Sequence, residues 1–244
     1  MPFLFLSPST QQYNPYVTSG NEEYWMNRLA DYMTPYLEFS GINVRRNDPD
    51  STVGAAVRAS NAYGSDFHLA LHSNALPQSD MGRVRGIDVY YYPTSAGGKR
   101  MAEIIANNLK DIYPLPARVR ALSSTKLYEI RSTSAPSVLL ELGYHDNEED
   151  ALWVENNLDA IARTLSLSIT EYFGLPLLSP HPVRSGTVTM EFGNLNLRDA
   201  PSATAGILLR IPNGATVTIL NTYNGWYVVE FDGVFGWASN QYIR

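Results

Sequence analysis

The chain has 244 residues, enough for one large domain or a medium and a small one, and 44% of them are hydrophobic, an ordinary share for a globular core. A net charge of −6 with no basic run argues against a nucleic-acid partner. The lack of cysteine removes disulfides and thiolate ligands, so any metal must be held by His, carboxylate or amide groups.

Tyr is the commonest aromatic and charges are few, which suits a protein that handles a polar, uncharged polymer. Phe3–Leu6 reads as a first buried strand, ended by Ser7-Pro8-Ser9. This apolar run is too short for a signal peptide and has no basic leader. No stretch approaches a transmembrane span, so no membrane insertion is expected. After a polar loop, Asn21 is placed to cap a helix whose Trp25, Leu29, Tyr32 and Met33 share a face. Pro35 is expected to kink that helix and Gly41 to close it. Ile42–Arg45 follows as a strand, and Val53–Tyr63 as a short helix with Ala56, Val57 and Ala62 inward. Gly64-Ser65-Asp66 then introduces a buried strand, Phe67-His68-Leu69-Ala70-Leu71, whose end carries His72 onto a loop. Open α/β sheets present their chemistry at that place, and a neutral imidazole there is a natural zinc ligand.

Further on, Gly86–Tyr92 is β-branched and aromatic and ends at Pro93, which predicts a strand. Lys99–Ile112 carries Met101, Ile104, Ile105 and Leu109 at helical spacing. Leu127–Ile130 reads as a short strand, and Ser137–Leu142 as another that is apolar apart from Glu141. Asn147–Tyr172 reads as one long amphipathic helix. Strands alternating with helices place residues 1–174 in the α/β class, a largely parallel sheet with helices on both faces. Three prolines mark a linker at 175–184. Residues 185–244 alternate in short strands punctuated by Asn213-Gly214 and Asn224-Gly225, a small all-β barrel whose charges cancel once Arg184 at the end of the linker is counted. The linker implies that the two parts fold separately.

Three blocks carry a resemblance. They are Glu22 with Leu29-Ala30, Leu37 and Gly41; Arg58-Ala59-Ser60-Asn61 leading to His72-Ser73-Asn74-Ala75; and Ala135-Pro136 followed by Leu140-Glu141-Leu142-Gly143 and Asn147. In this order and spacing the chain resembles the zinc-dependent N-acetylmuramoyl-L-alanine amidases of the amidase-3 type over about residues 3–173. The tail resembles a bacterial SH3 domain through Leu195–Ser202, Ile211–Val217, Gly225–Val229 and Gly236–Tyr242. The resemblance implies a peptidoglycan hydrolase. It would cut the amide between N-acetylmuramic acid and the L-alanine of the stem peptide, using metal-activated water and a Glu general base. It further implies Glu22 and His72 as metal ligands, Glu141 as the catalytic base, one zinc ion as cofactor and bacterial peptidoglycan as partner. Asn74 and Arg131 stand as substrate-binding candidates, and Trp226, Trp237 and Tyr242 of the tail as barrel core or stacking surfaces, with core preferred for Trp226.

One departure concerns the family's first ligand, a His after strand one. Here that position reads Ser7-Pro8-Ser9-Thr10-Gln11-Gln12, and no His precedes residue 68. His68 lies four residues before His72 on the same strand, roughly 13 Å away at about 3.3 Å per residue, too far to share one zinc. It is expected in the core. His145 and His181 lie in a loop and in the linker. The third ligand is therefore expected from the Thr10–Asn14 loop: Thr10 is short, Gln11 has the length and an amide oxygen, and Gln12 and Asn14 are its rivals. An amide holds zinc more weakly than imidazole, so a weakly held ion is expected. The alternatives are a lapsed amidase fold that only binds wall, and a zinc peptidase acting on the stem peptide. Action at the cell wall or outside the cell, without a visible signal peptide, implies release by lysis, as for a phage-type endolysin, or non-classical export, as for an autolysin.

Overall fold

The computed structural model describes residues 2–244. Its first sheet has six strands in the order β2-β1-β3-β6-β4-β5. These are β1 (Phe3–Pro8), β2 (Asn43–Arg46), β3 (Phe67–Asn74), β4 (Ile87–Tyr91), β5 (Val119–Ser123) and β6 (Ser137–Tyr144). All neighbours run parallel except β4 and β6, which are antiparallel. The predicted class, a largely parallel sheet with helices on both faces, is the observed one.

Alternation along the strands sorts side chains to two faces. Leu4, Leu6, Leu69, Leu71, Leu140 and Leu142 point into the main core with α1 (Glu22–Phe39), α3 (Ala96–Lys110) and α6 (Leu158–Phe173). Ala70 and Leu139 point the other way, toward Ile130 on α4 (Tyr128–Ser132), beside which lies α2 (Val53–Tyr63). Ser7, His68, His72 and Glu141 have the same parity and share this second face. Register aligns them in rows, with Ser7 opposite Ala70, His68 opposite Ser137, and His72 opposite Glu141, which is itself opposite Asp88.

Several elements differ from the sequence reading. The Leu127–Ile130 segment is not a strand: Leu127 and Ile130 are spaced i, i+3, and both reach the sheet only in a helical turn, closed by Arg131 N–H donating to Leu127 O at 3.2 Å. The long C-terminal helix breaks at Asn157, whose φ of −126° and ψ of 21° leave the helical region, into α5 (Glu148–Asn156) and α6. β5, an edge strand, was not foreseen. On α1 the buried face is Met26, Leu29, Ala30, Met33 and Leu37, whereas Tyr32 is exposed. The helix also continues through Pro35 to Phe39.

The tail forms a second, all-antiparallel sheet in the order β7-β10-β11-β12-β8-β9. Its strands are β7 (Arg184–Thr187), β8 (Leu195–Arg198), β9 (Ile207–Ile211), β10 (Thr216–Tyr223), β11 (Trp226–Phe231) and β12 (Val234–Ser239). Trp237 is fully buried, whereas Trp226, expected in the core, is half-buried and lines a surface cleft with Tyr242.

Candidate active site

Two helix starts and two strand ends converge on one cleft of about 500 Å³, lined among others by Gln11, Tyr13, His72, Tyr128, Glu129 and Glu141. Glu22 opens α1, which Asn21 caps by accepting from Tyr24 N–H at 2.8 Å. The loop before it is tied back, with Glu22 N–H donating to Asn14 O at 2.9 Å and the Asn14 amide donating to Glu22 Oε2 at 2.7 Å. That closure carries Gln11 inward. Gln11 Nε2 donates to Glu22 Oε1 at 3.4 Å, while Gln11 Oε1 accepts from Asn14 and Tyr13.

His72 lies between two buried carboxylates. Its Nδ1 is 2.8 Å from Glu22 Oε1, and its Nε2 is 2.9 Å from Glu129 Oε2. Glu129, on α4, accepts further bonds at Oε1 from Ser7 Oγ at 2.6 Å and from His68 Nε2 at 3.2 Å. Burial alone would lower the His72 pKa; the bonds from Glu129 and Glu22 outweigh it and hold the imidazole well above its ordinary value. Burial likewise opposes both carboxylates, but hydrogen bonds hold them below the ordinary range, from His72 and Asn14 for Glu22 and from His68 and His72 for Glu129.

Glu141 differs from both. Burial pushes it up to about 7, His72 opposes this, and the negative charges of Glu22, Asp88 and Glu129 add to it. Its Oε2 is buried with no hydrogen-bond partner among the described residues. Asp88 beside it is held by Arg120 at 2.8 and 2.9 Å. A carboxylate with a near-neutral pKa and a free oxygen facing a cleft is suited to moving protons.

Of the sequence-predicted residues, Gln11, Glu22, His72 and Glu141 meet here. Asn74 and Arg131 are not among the cleft-lining residues. Asn74 Oδ1 accepts from Ala75 N–H at 2.9 Å, and Arg131 lies over the Tyr128 ring at 5.9 Å. His68 is fully buried, as expected, yet it is tied to the site through Glu129. Glu129 and Ser7 were missed; the even spacing of His68 and His72 on one strand face was the available signal.

The family profile described as N-acetylmuramoyl-L-alanine amidase matches residues 12–171, and that of the bacterial SH3 domain matches 193–244. The chain belongs to the N-acetylmuramoyl-L-alanine amidase family. Among its relatives, the amidase CwlM of Bacillus licheniformis is 25% identical over 59% of this chain and 54% of its own length. LytC of Bacillus subtilis is 31% identical over 44% of this chain and 21% of its own. The chain thus spans about half the length of the first relative and a fifth of the second. The solved amidase AmiC2 of Nostoc punctiforme shares the fold, with a TM-score of 0.62 at 18% identity, covering 71% of this chain and 97% of that one.

Proposed function

We propose that the protein hydrolyses the amide between N-acetylmuramic acid and the L-alanine of the peptidoglycan stem peptide. The observation that carries this is Glu141. A buried carboxylate oxygen without a partner among the described residues destabilises the fold, and Glu141 lines the same cleft as His72, whose Nδ1 bonds Glu22, inside the matched region. That disfavours a fold kept only for wall binding.

The donor chemistry accommodates one divalent ion, with zinc the first choice. Among the described residues no three His, Cys, Asp or Glu side chains form a metal-holding group, and the amide of Gln11 is the third donor assigned here, with Gln12, Asn14 or a water as its rivals. Glu22 Oε1, His72 Nδ1 and the Gln11 amide form a triangle with sides of 2.8, 3.3 and 3.4 Å. Donors bonded at about 2.0–2.1 Å in tetrahedral geometry lie about 3.3 Å apart, so the triangle fits with little spreading. Gln11 turns Nε2 inward here; a half-turn of its amide offers Oε1 instead, at the loss of bonds from Tyr13 and Asn14. Such an ion would polarise the amide carbonyl and acidify water. On the protein side, Glu22 and His72 hold position, and His72 must release its Nδ1 proton for the ion to bind. Glu141 takes the proton from the attacking water and passes it to the departing nitrogen. The barrel would hold the enzyme on the wall, consistent with action outside the cell.

Incubation with purified cell wall tests this. New amino-terminal L-alanine is expected and chelator should abolish its appearance; cleavage inside the peptide, or equal release with and without chelator, would overturn it.

A further inference from the structure

Glu129 takes no part in that chemistry, yet it is charged, 2% exposed, and bonded to three side chains. Apolar residues would fill its place under α4 at less cost, since a buried carboxylate must be saturated with donors. The saturation is deliberate in pattern. Ser7, from β1, and His68, from β3, both serve Oε1, and they lie on the same sheet face as His72. His68 stacks on Phe5 with ring centroids 5.5 Å apart, and among the described residues its Nδ1 has no partner, so its side chain's polar bond is to Glu129. This buried cluster joins the metal-ligand candidates through His72, by the 2.9 Å bond from Nε2.

An imidazole has two ring nitrogens, and here each lies against a carboxylate; Glu22 beside Nδ1 is itself a candidate ligand, whereas Glu129 beside Nε2 is held by Ser7 and His68. We infer that Glu129 is a positioning residue that keeps the Nε2 proton and ring orientation of His72, so that Nδ1 faces Glu22, Gln11 and an ion held between them. The inference rests on the reading that His72 and Glu22 hold a divalent metal. Carboxylates behind metal-bound imidazoles act in this way in general, fixing the tautomer and raising ligand basicity. Ser7 and His68 then have a purpose, which is to hold Glu129 in one rotamer.

The test uses the full chain. In Glu129→Gln the shape is kept and the amide oxygen still accepts from Ser7 and His68, but its NH2 meets His72 Nε2. That nitrogen must then accept, and the proton moves to Nδ1, where it blocks the ion. Zinc affinity, read by competition with a chromophoric chelator, is expected to fall about 10–100-fold. In the zinc-loaded parent, long-range nitrogen–proton NMR should show His72 protonated at Nε2 and bare at Nδ1. Equal affinity of parent and variant, or coordination through Nε2 in the parent, overturns the inference. If Glu129→Gln does not fold, Ser7→Ala carries the test with a smaller expected loss, and no loss overturns the inference equally. A parent that binds no zinc overturns the metal reading and the inference with it, whereas a parent that binds zinc as tightly as Glu129→Gln overturns only the role of Glu129.

Discussion

Glu141 stands in a cross-strand row with His72 on one side and Asp88 on the other, where its charge is poorly solvated. Its folded pKa, about 7, lies above the ordinary 4.5, so folding favours the protonated form. The stability this group contributes is present below its unfolded pKa and lost as pH rises from about 4.5 through about 7. Glu141→Gln removes the charge but keeps the shape. At pH 8 the metal-free variant is expected to be about 1–3 kcal/mol more stable than the parent by denaturant melts. The same change should lower turnover about 10²–10⁴-fold, since it removes the proposed base. For the parent, kcat/KM should rise with pH toward neutrality as Glu141 loses its proton, and a flat profile between pH 5 and 8 would place the base elsewhere. At this scale the family resemblance singled out Glu22, His72 and Glu141, and the fold brings the three together. Glu129 was not legible, because one carboxylate in Leu127-Tyr128-Glu129-Ile130 carries no sign of burial. Its burial comes from Ser7 and His68, distant in the chain.

Among the elements, α1 links fold and site most directly, because the residue after its cap is Glu22. Asn21 accepts from Tyr24 N–H, and its own amide donates to Gln12 O at 3.1 Å, so one side chain sets both the helix start and the loop carrying Gln11. Asn21→Ala should destabilise the protein by about 1 kcal/mol. It should also weaken zinc binding, because the first turn frays with Glu22 in it; a loss of stability with unchanged affinity would mean that the loop is held by Asn14 alone. Long, strongly periodic elements were readable, including this helix and the β3 strand. Short ones were not. The α4 turn has two apolar residues whose i, i+3 spacing only tertiary packing distinguishes from a strand, and the break at Asn157 is a departure of one residue's backbone from helical angles.

At the scale of the whole molecule, the Pro-rich linker predicts two parts that fold separately, and in the structure the barrel is seated on the first sheet's domain. Trp237, the largest fully buried side chain, packs at Gly41, directly after the α1 cap. Phe235 N–H donates to Asn43 Oδ1 at 3.2 Å. Within the linker, Leu178 N–H donates to Ser40 Oγ at 2.9 Å and Ser179 O accepts from Asn221 at 3.0 Å. No local periodicity announces such a contact, since its partners lie almost two hundred residues apart. Gly41 has φ +82°, and a Cβ there would stand 2.5 Å from Trp237 Nε1. Gly41→Ala therefore meets two penalties, backbone strain of about 1–3 kcal/mol and a clash with a ring that has no room to retreat. By calorimetry the parent should unfold in one coupled transition. Gly41→Ala should separate the barrel's transition from the larger domain's, move Trp fluorescence to the red, and open the otherwise tied Leu175–Ser179 stretch to protease. Two independent transitions in the parent, unmoved by Gly41→Ala, would mean that the seat contributes nothing and that the linker governs, as its prolines first suggested.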